Sequence, residues 1–175
     1  MQNLLKNLDK EIVPISFILI LALARLIPHP PNFTPVIAVA IMSSYFFRNI
    51  YLSFATMIIS MLIADFFIGF YGHMIFVYMS LLLITFVFFK TNWKINFKNL
   101  FIFGFVGSVI FFIISNFGVW AISSMYEKSF DGLVHCYFLA IPFFKNTLIS
   151  TCLFTGLLTF SIKYLDIIRI SLAVE

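Results

Sequence analysis

Residues 50–70 read IYLSFATMIISMLIADFFIGF, a run whose one formal charge is Asp65. At about 1.5 Å of rise per residue it makes a helix of about 31 Å, the thickness of a bilayer's hydrocarbon core. Similar apolar runs fall at about 12–27, 34–47, 74–89, 100–120 and 139–164. The chain is 62% hydrophobic and 10% charged, which leaves no surface composition suited to water. These runs predict an all-α membrane protein, one transmembrane domain over 1–175 built as a six-helix bundle.

Punctuation between the runs supports the division. Pro28 lacks a donor and disfavours helix in the residue before it, so the first helix ends near Ile27. Thr34 suits an N-cap and Pro35 the first helical position of the second. That second run is short for a span, which predicts a tilt, an inner extension, or burial among its neighbours. The first run has no small-residue cleavage site and is expected to stay as a span. Cys136 and Cys152, sixteen residues apart, are too far along a largely helical segment for a disulfide.

The net charge of +4 would suggest nucleic acid in a soluble protein, but most Lys and Arg lie in short loops, where they set orientation. Nucleic-acid binding is therefore excluded. Lys6, Lys10, Arg48, Lys90, Lys94, Lys98, Lys163 and Arg169 fall on one side, against Arg25 and Lys128 on the other. Both termini are expected to be cytoplasmic, and the loops after helices 1, 3 and 5 to open outward.

Arg25, Asp65 and Asn116 each lie about 20 to 24 Å up from the cytoplasmic end of their runs, and Lys145 enters from the outer side. A charge at such depth costs a few kcal/mol and is expected to face a partner, the bundle interior or water. With Pro142 read as a first-turn residue, Lys145 stands at the positive end of the helix 6 dipole, where an anion should compensate it. Asp65, Asp131 and a bound carboxylate or phosphate are the candidates. Substrate contacts are predicted at Arg25, His29, Asn32, Thr34, Asp65, Asn116, Trp120, Tyr126, His135, Tyr137, Lys145 and Asn146, with His73 ranked below them.

Catalytic signatures are absent: no His-Glu-x-x-His, no Gly-x-Ser-x-Gly, no phosphate-cradling glycine loop. The chain is read as a non-enzyme without cofactor or metal. Its three histidines, His29, His73 and His135, have no metal-ligand spacing, and an intramembrane metalloprotein is the weakest alternative.

The strings from Arg25 to Pro35 (RLIPHPPNFTP), Ala64 to Phe70 (ADFFIGF), Ser115 to Trp120 (SNFGVW) and Gly132 to Tyr137 (GLVHCY), with Ala140 to Asn146 (AIPFFKN), resemble a family of small bacterial membrane proteins. That family is similar to the substrate-binding S components of energy-coupling factor (ECF) transporters. The resemblance implies a multi-pass protein of the bacterial inner membrane that captures a vitamin-like or anionic solute under its outer loops. It also implies a transmembrane coupling subunit with two ATPases as partners. S components commonly present an alanine-x-x-x-alanine face on helix 1; here only Ala40 and Ser44 on helix 2 give a small-x-x-x-small pair. The alternative reading is a structural or assembly subunit of a larger membrane complex, with the polar groups as an internal brace.

Overall fold

The computed structural model describes residues 16–17, 19–47, 49–91 and 96–174. Lys6, Lys10, Arg48 and Lys94, on which the charge count partly rests, lie outside the described residues, as does the start of the first predicted helix. Six helices are present among the described residues. Helix α1 is seen at 16–17 and 19–26. It is followed by α2 (Val36–Phe47), α3 (Ile50–Ile68), α4 (Met74–Lys90), α5 (Phe97–Ile122) and α6 (Phe130–Val174).

Helix α2 is the axis of the bundle. It packs against α3, α4, α5 and α6, and every residue from Val36 to Ser44 is buried. A short helix without charges or long polar side chains tolerates contact on all sides, so its length and composition both mark it for the interior. Its first backbone bond runs from Val39 N–H to the Pro35 carbonyl. The helix thus begins one residue later than a Thr34 cap implies. Leu21 of α1, Met57 and Met61 of α3, Leu81 and Ile84 of α4, and Phe111 of α5 complete the core around it.

Helix α3 shows how the bundle sorts its residues. Asn49 caps it by accepting from the Tyr51 and Leu52 amides, and it ends at Gly69, whose φ of 106° suits glycine. Its inner face carries Ser53, Thr56, Ser60, Ala64 and Asp65, while Ile59, Leu62, Phe66 and Phe67 point outward. Small and polar groups inside with large apolar groups outside is an arrangement suited to an apolar surround. Core hydroxyls are served largely by their own helices, as where Ser60 donates to Thr56 O at 2.5 Å and Thr85 to Leu81 O at 2.9 Å. Ile50–Ile68, Lys98–Ile122 and Phe130–Ser161 are each long and apolar enough to cross a membrane.

Helix α6 departs most from the expected boundaries. It starts at Phe130, nine residues before the predicted 139, and runs 45 residues with Pro142 inside it. Ser129 Oγ accepts from the Gly132 amide at 3.1 Å, an N-cap, and Asp131 follows in the first turn. Reading Pro142 as a first-turn residue missed that capping signal; a proline within a long apolar helix frees one carbonyl and is tolerated there. The predicted connection of 121–138 shrinks accordingly, and the string from Gly132 to Tyr137 is helical.

Two expectations fall with this. Lys145 lies fifteen residues into α6, so the dipole argument for an anion beside it no longer applies. Ala40 and Ser44 are both buried in the bundle's axis, which leaves them no outer face for a coupling subunit.

Candidate functional site

The segment after α1 and the turn after α3 end at different heights, and a cavity lies between them. Phe111 of α5 stands at its wall. From there α5 continues to Ile122, against which Gly72 of the α3–α4 turn packs, about 16 Å further along the helix. The α1–α2 loop lies lower: Asn32 O meets Ser150 of α6, whose neighbour Thr151 meets Ser108 of α5, so His29, Asn32 and Thr34 form one side of a recess and Tyr71 and His73 the other.

That recess has a volume of about 440 Å³. Arg25, His29, Asn32 and Thr34 line it from α1 and the loop that follows, Tyr71 and His73 from the α3–α4 turn, and Met61, Val77 and Phe111 from the helices. The volume falls in the range of small-molecule sites, and six polar or charged residues converge on it beside five apolar ones.

Arg25 and Asp65 are the electrostatic centre. The guanidinium stands 2.6 Å from Asp65 Oδ1; the arginine side chain is 12% exposed and the carboxylate 0%. The other carboxylate oxygen, Oδ2, accepts from the Tyr78 hydroxyl at 2.8 Å. Arg25 also reaches Met61 O and Met61 Sδ, both at 3.4 Å. Asp65 therefore ties α1, α3 and α4 together, and Arg25 is left on the cavity wall with its charge countered from behind. Equal depth in the sequence anticipated this pair.

Two groups of the α3–α4 turn complete the polar lining. Burial raises the Tyr71 phenol above its ordinary value, the nearby Asp65 adding to that and Arg25 opposing it, so the hydroxyl is protonated at neutral pH. Burial lowers His73 below its ordinary 6.5, which keeps the imidazole neutral. The two rings lie 4.8 Å apart. His29 Nδ1 is 2.9 Å from Pro30 O; a carbonyl only accepts, so Nδ1 carries the proton.

One wall is pinned. Asn146 Nδ2 donates to Pro31 O at 3.0 Å, Ser150 Oγ reaches Asn32 O at 3.5 Å, and Phe33 packs on Phe154 at 6.1 Å. Asn32 takes a φ of 60°, in the left-handed region that asparagine tolerates. Asn146 thus acts on the site by holding the loop.

The remaining predicted residues are placed elsewhere. Lys145 is exposed on α6 and outside the cavity lining. Asn116 Nδ2 donates to Phe112 O of its own helix at 2.8 Å. Trp120, Tyr126, His135 and Tyr137 brace the α5–α6 connection. Trp120 Nε1 donates to Glu127 O at 2.9 Å, Lys128 donates to the Trp120 and Ser123 carbonyls, the Tyr126 ring meets His135, and the Tyr137 hydroxyl donates to Ile113 O. The three histidines are consequently not assembled: His29 and His73 share the cavity and His135 does not. No group of three His, Cys, Asp or Glu suited to a metal occurs among the described residues.

Sequence reasoning left out Tyr71 and Tyr78. The signal for Tyr78 was the carboxylate itself, because a buried Asp with one arginine still has lone pairs to satisfy, and α4 is its other neighbour. No periodicity marks Tyr71, which lies in a turn.

No curated protein and no solved structure matches the chain. The profile of a family of unknown function (DUF6580) matches residues 6–170, nearly the full length, and the chain belongs to that family.

Proposed function

We propose that the protein is a membrane-embedded solute-binding transport protein, six-spanning with both termini in the cytoplasm, whose cavity captures a small molecule from the outer side. The observation that carries this reading is the convergence of Arg25, Asn32, Thr34, Tyr71 and His73 on one recess of about 440 Å³. A brace alone needs an ion pair; it does not need a polar-lined void beside it. Inner-membrane location and the likeness to ECF S components, with their coupling subunit and ATPases, belong to the same proposal. The inward-polar, outward-apolar sorting of α3 and the positive-inside count support it.

The second reading, a structural subunit, draws on the Arg25–Asp65–Tyr78 network, which joins three helices whatever the cavity holds. External labelling separates the two. In a chain carrying Cys136→Ser and Cys152→Ser, Thr34→Cys should react with a membrane-impermeant maleimide applied to whole cells. The small-molecule fraction of the native growth medium should slow that reaction. Labelling only after permeabilisation would reverse the orientation. Labelling from outside that no small-molecule fraction slows would favour the structural subunit.

A further inference from the structure

The charge balance of the cavity narrows what it can take. Two intramembrane cations against one carboxylate would favour an anionic solute, and the structure removes that imbalance. Lys145 is exposed and outside the lining, so Arg25 is the site's one fixed cation among the described residues. Its guanidinium is 2.6 Å from a carboxylate that no solvent reaches. Among the described residues Asp65 pairs with no second cation, and its other oxygen accepts from the Tyr78 hydroxyl. An anion drawn to Arg25 would compete with Asp65 for the same charge and be repelled by it, while losing its own hydration.

The remaining polar groups suit an uncharged molecule. Thr34 and Tyr71 present hydroxyls and Asn32 an amide, each able to donate and accept. His73, kept neutral by burial, offers one donor and one acceptor. Met61, Val77 and Phe111 supply apolar wall. Of the five N–H groups of Arg25, those not engaged by Asp65, Met61 and Tyr71 remain as donors whose charge is already compensated.

We propose that the cavity selects a solute without net charge, carrying a carbonyl or amide oxygen for Arg25 and hydrogen-bonding groups of both kinds, and that Asp65 enforces this by excluding anions. This rests on the solute-binding reading and adds the ligand class to it.

Benzamide and benzoate form a matched pair of probes, alike in shape and small enough for the cavity, differing in charge. Thermal shifts in lipid nanodiscs are read for wild type and Asp65→Asn, whose side chain keeps size and hydrogen bonding but frees the arginine's charge. Benzamide should raise the wild-type Tm at lower concentration than benzoate, and the order should invert in Asp65→Asn by at least tenfold in half-effective concentration. Response of Asp65→Asn to benzoate, with wild type indifferent to both, supports exclusion of anions by Asp65 and overturns the preference for an amide oxygen. Wild type preferring benzoate, with the preference lost in Arg25→Gln, overturns the inference and leaves solute binding intact. Silence of both proteins toward both probes counts against the cavity as a binding site, and so against the reading beneath it. Should Asp65→Asn not fold, the wild-type order decides.

Discussion

Replacing Arg25 with methionine keeps most of the side chain's length and apolar packing and removes its charge. Asp65, 0% exposed, would then be a buried carboxylate with one neutral donor, Tyr78. Removing one partner of a buried pair costs about 3–5 kcal/mol, because the charge left behind is uncompensated. Asp65→Asn leaves the better-placed orphan, since Arg25 is 12% exposed on the cavity and water can solvate it. Its cost should be nearer 1.5–3 kcal/mol, about that of one lost charged hydrogen bond. The double variant removes both charges and should resemble Asp65→Asn alone, so the coupling equals the Arg25→Met cost, about 3–5 kcal/mol. Unfolding followed by circular dichroism in mild detergent should place the Arg25→Met midpoint on the order of 10 °C below wild type, with part of that recovered in the double variant. Additive losses, or an Arg25→Met protein as stable as wild type, would refute the pair as the tie between α1 and α3.

Other outcomes follow from local geometry. A Cβ at Gly118 would come within 2.4–2.7 Å of three Phe76 atoms, so Gly118→Ala should cost about 1–3 kcal/mol by forcing α4 from α5. Gly156→Ala meets nothing within 4 Å and should be neutral or stabilise by up to about 1 kcal/mol, read from the same melts. Ser129→Ala removes the α6 cap and should cost about 1 kcal/mol, with faster amide exchange at Asp131 to Leu133 as the local readout. Burial lowers the folded-state pKa of His73 below the ordinary 6.5, so the unfolded chain binds this proton first as pH falls. Its contribution to stability is full above about 6.5 and is lost through the lower folded value. Melts from about pH 7.5 to about 5 should show less acid loss for His73→Gln than for wild type, and equal slopes would contradict the assignment.

Much of the bundle was legible in the sequence. Span length fixed α2 to α5 to within a few residues, Pro28 marked the end of α1, and of the three readings of α2's shortness burial among its neighbours is the one observed. Equal rise along two runs put Arg25 and Asp65 at one depth, and the loop proline string marked His29, Asn32 and Thr34 as a unit. Lys145 was misplaced because Pro142 was given more weight than Ser129 and Asp131. A proline is compatible with a helix interior when the freed carbonyl finds another partner, and sequence does not say when it does. Depth alone also does not set azimuth: Asn116 sits at a suitable height but bonds to its own helix. Tyr71 and His73 enter the site through the fold of a turn, which no period encodes.

The central claim is that the recess holds a small molecule, and native mass spectrometry of gently purified wild type beside Thr34→Trp tests it most directly. The indole would take up part of the cavity that Thr34 lines. A discrete small mass retained by wild type and absent from a folded Thr34→Trp protein is the predicted result; equal masses on the two proteins, or an empty wild type travelling only with other membrane subunits, would contradict the account.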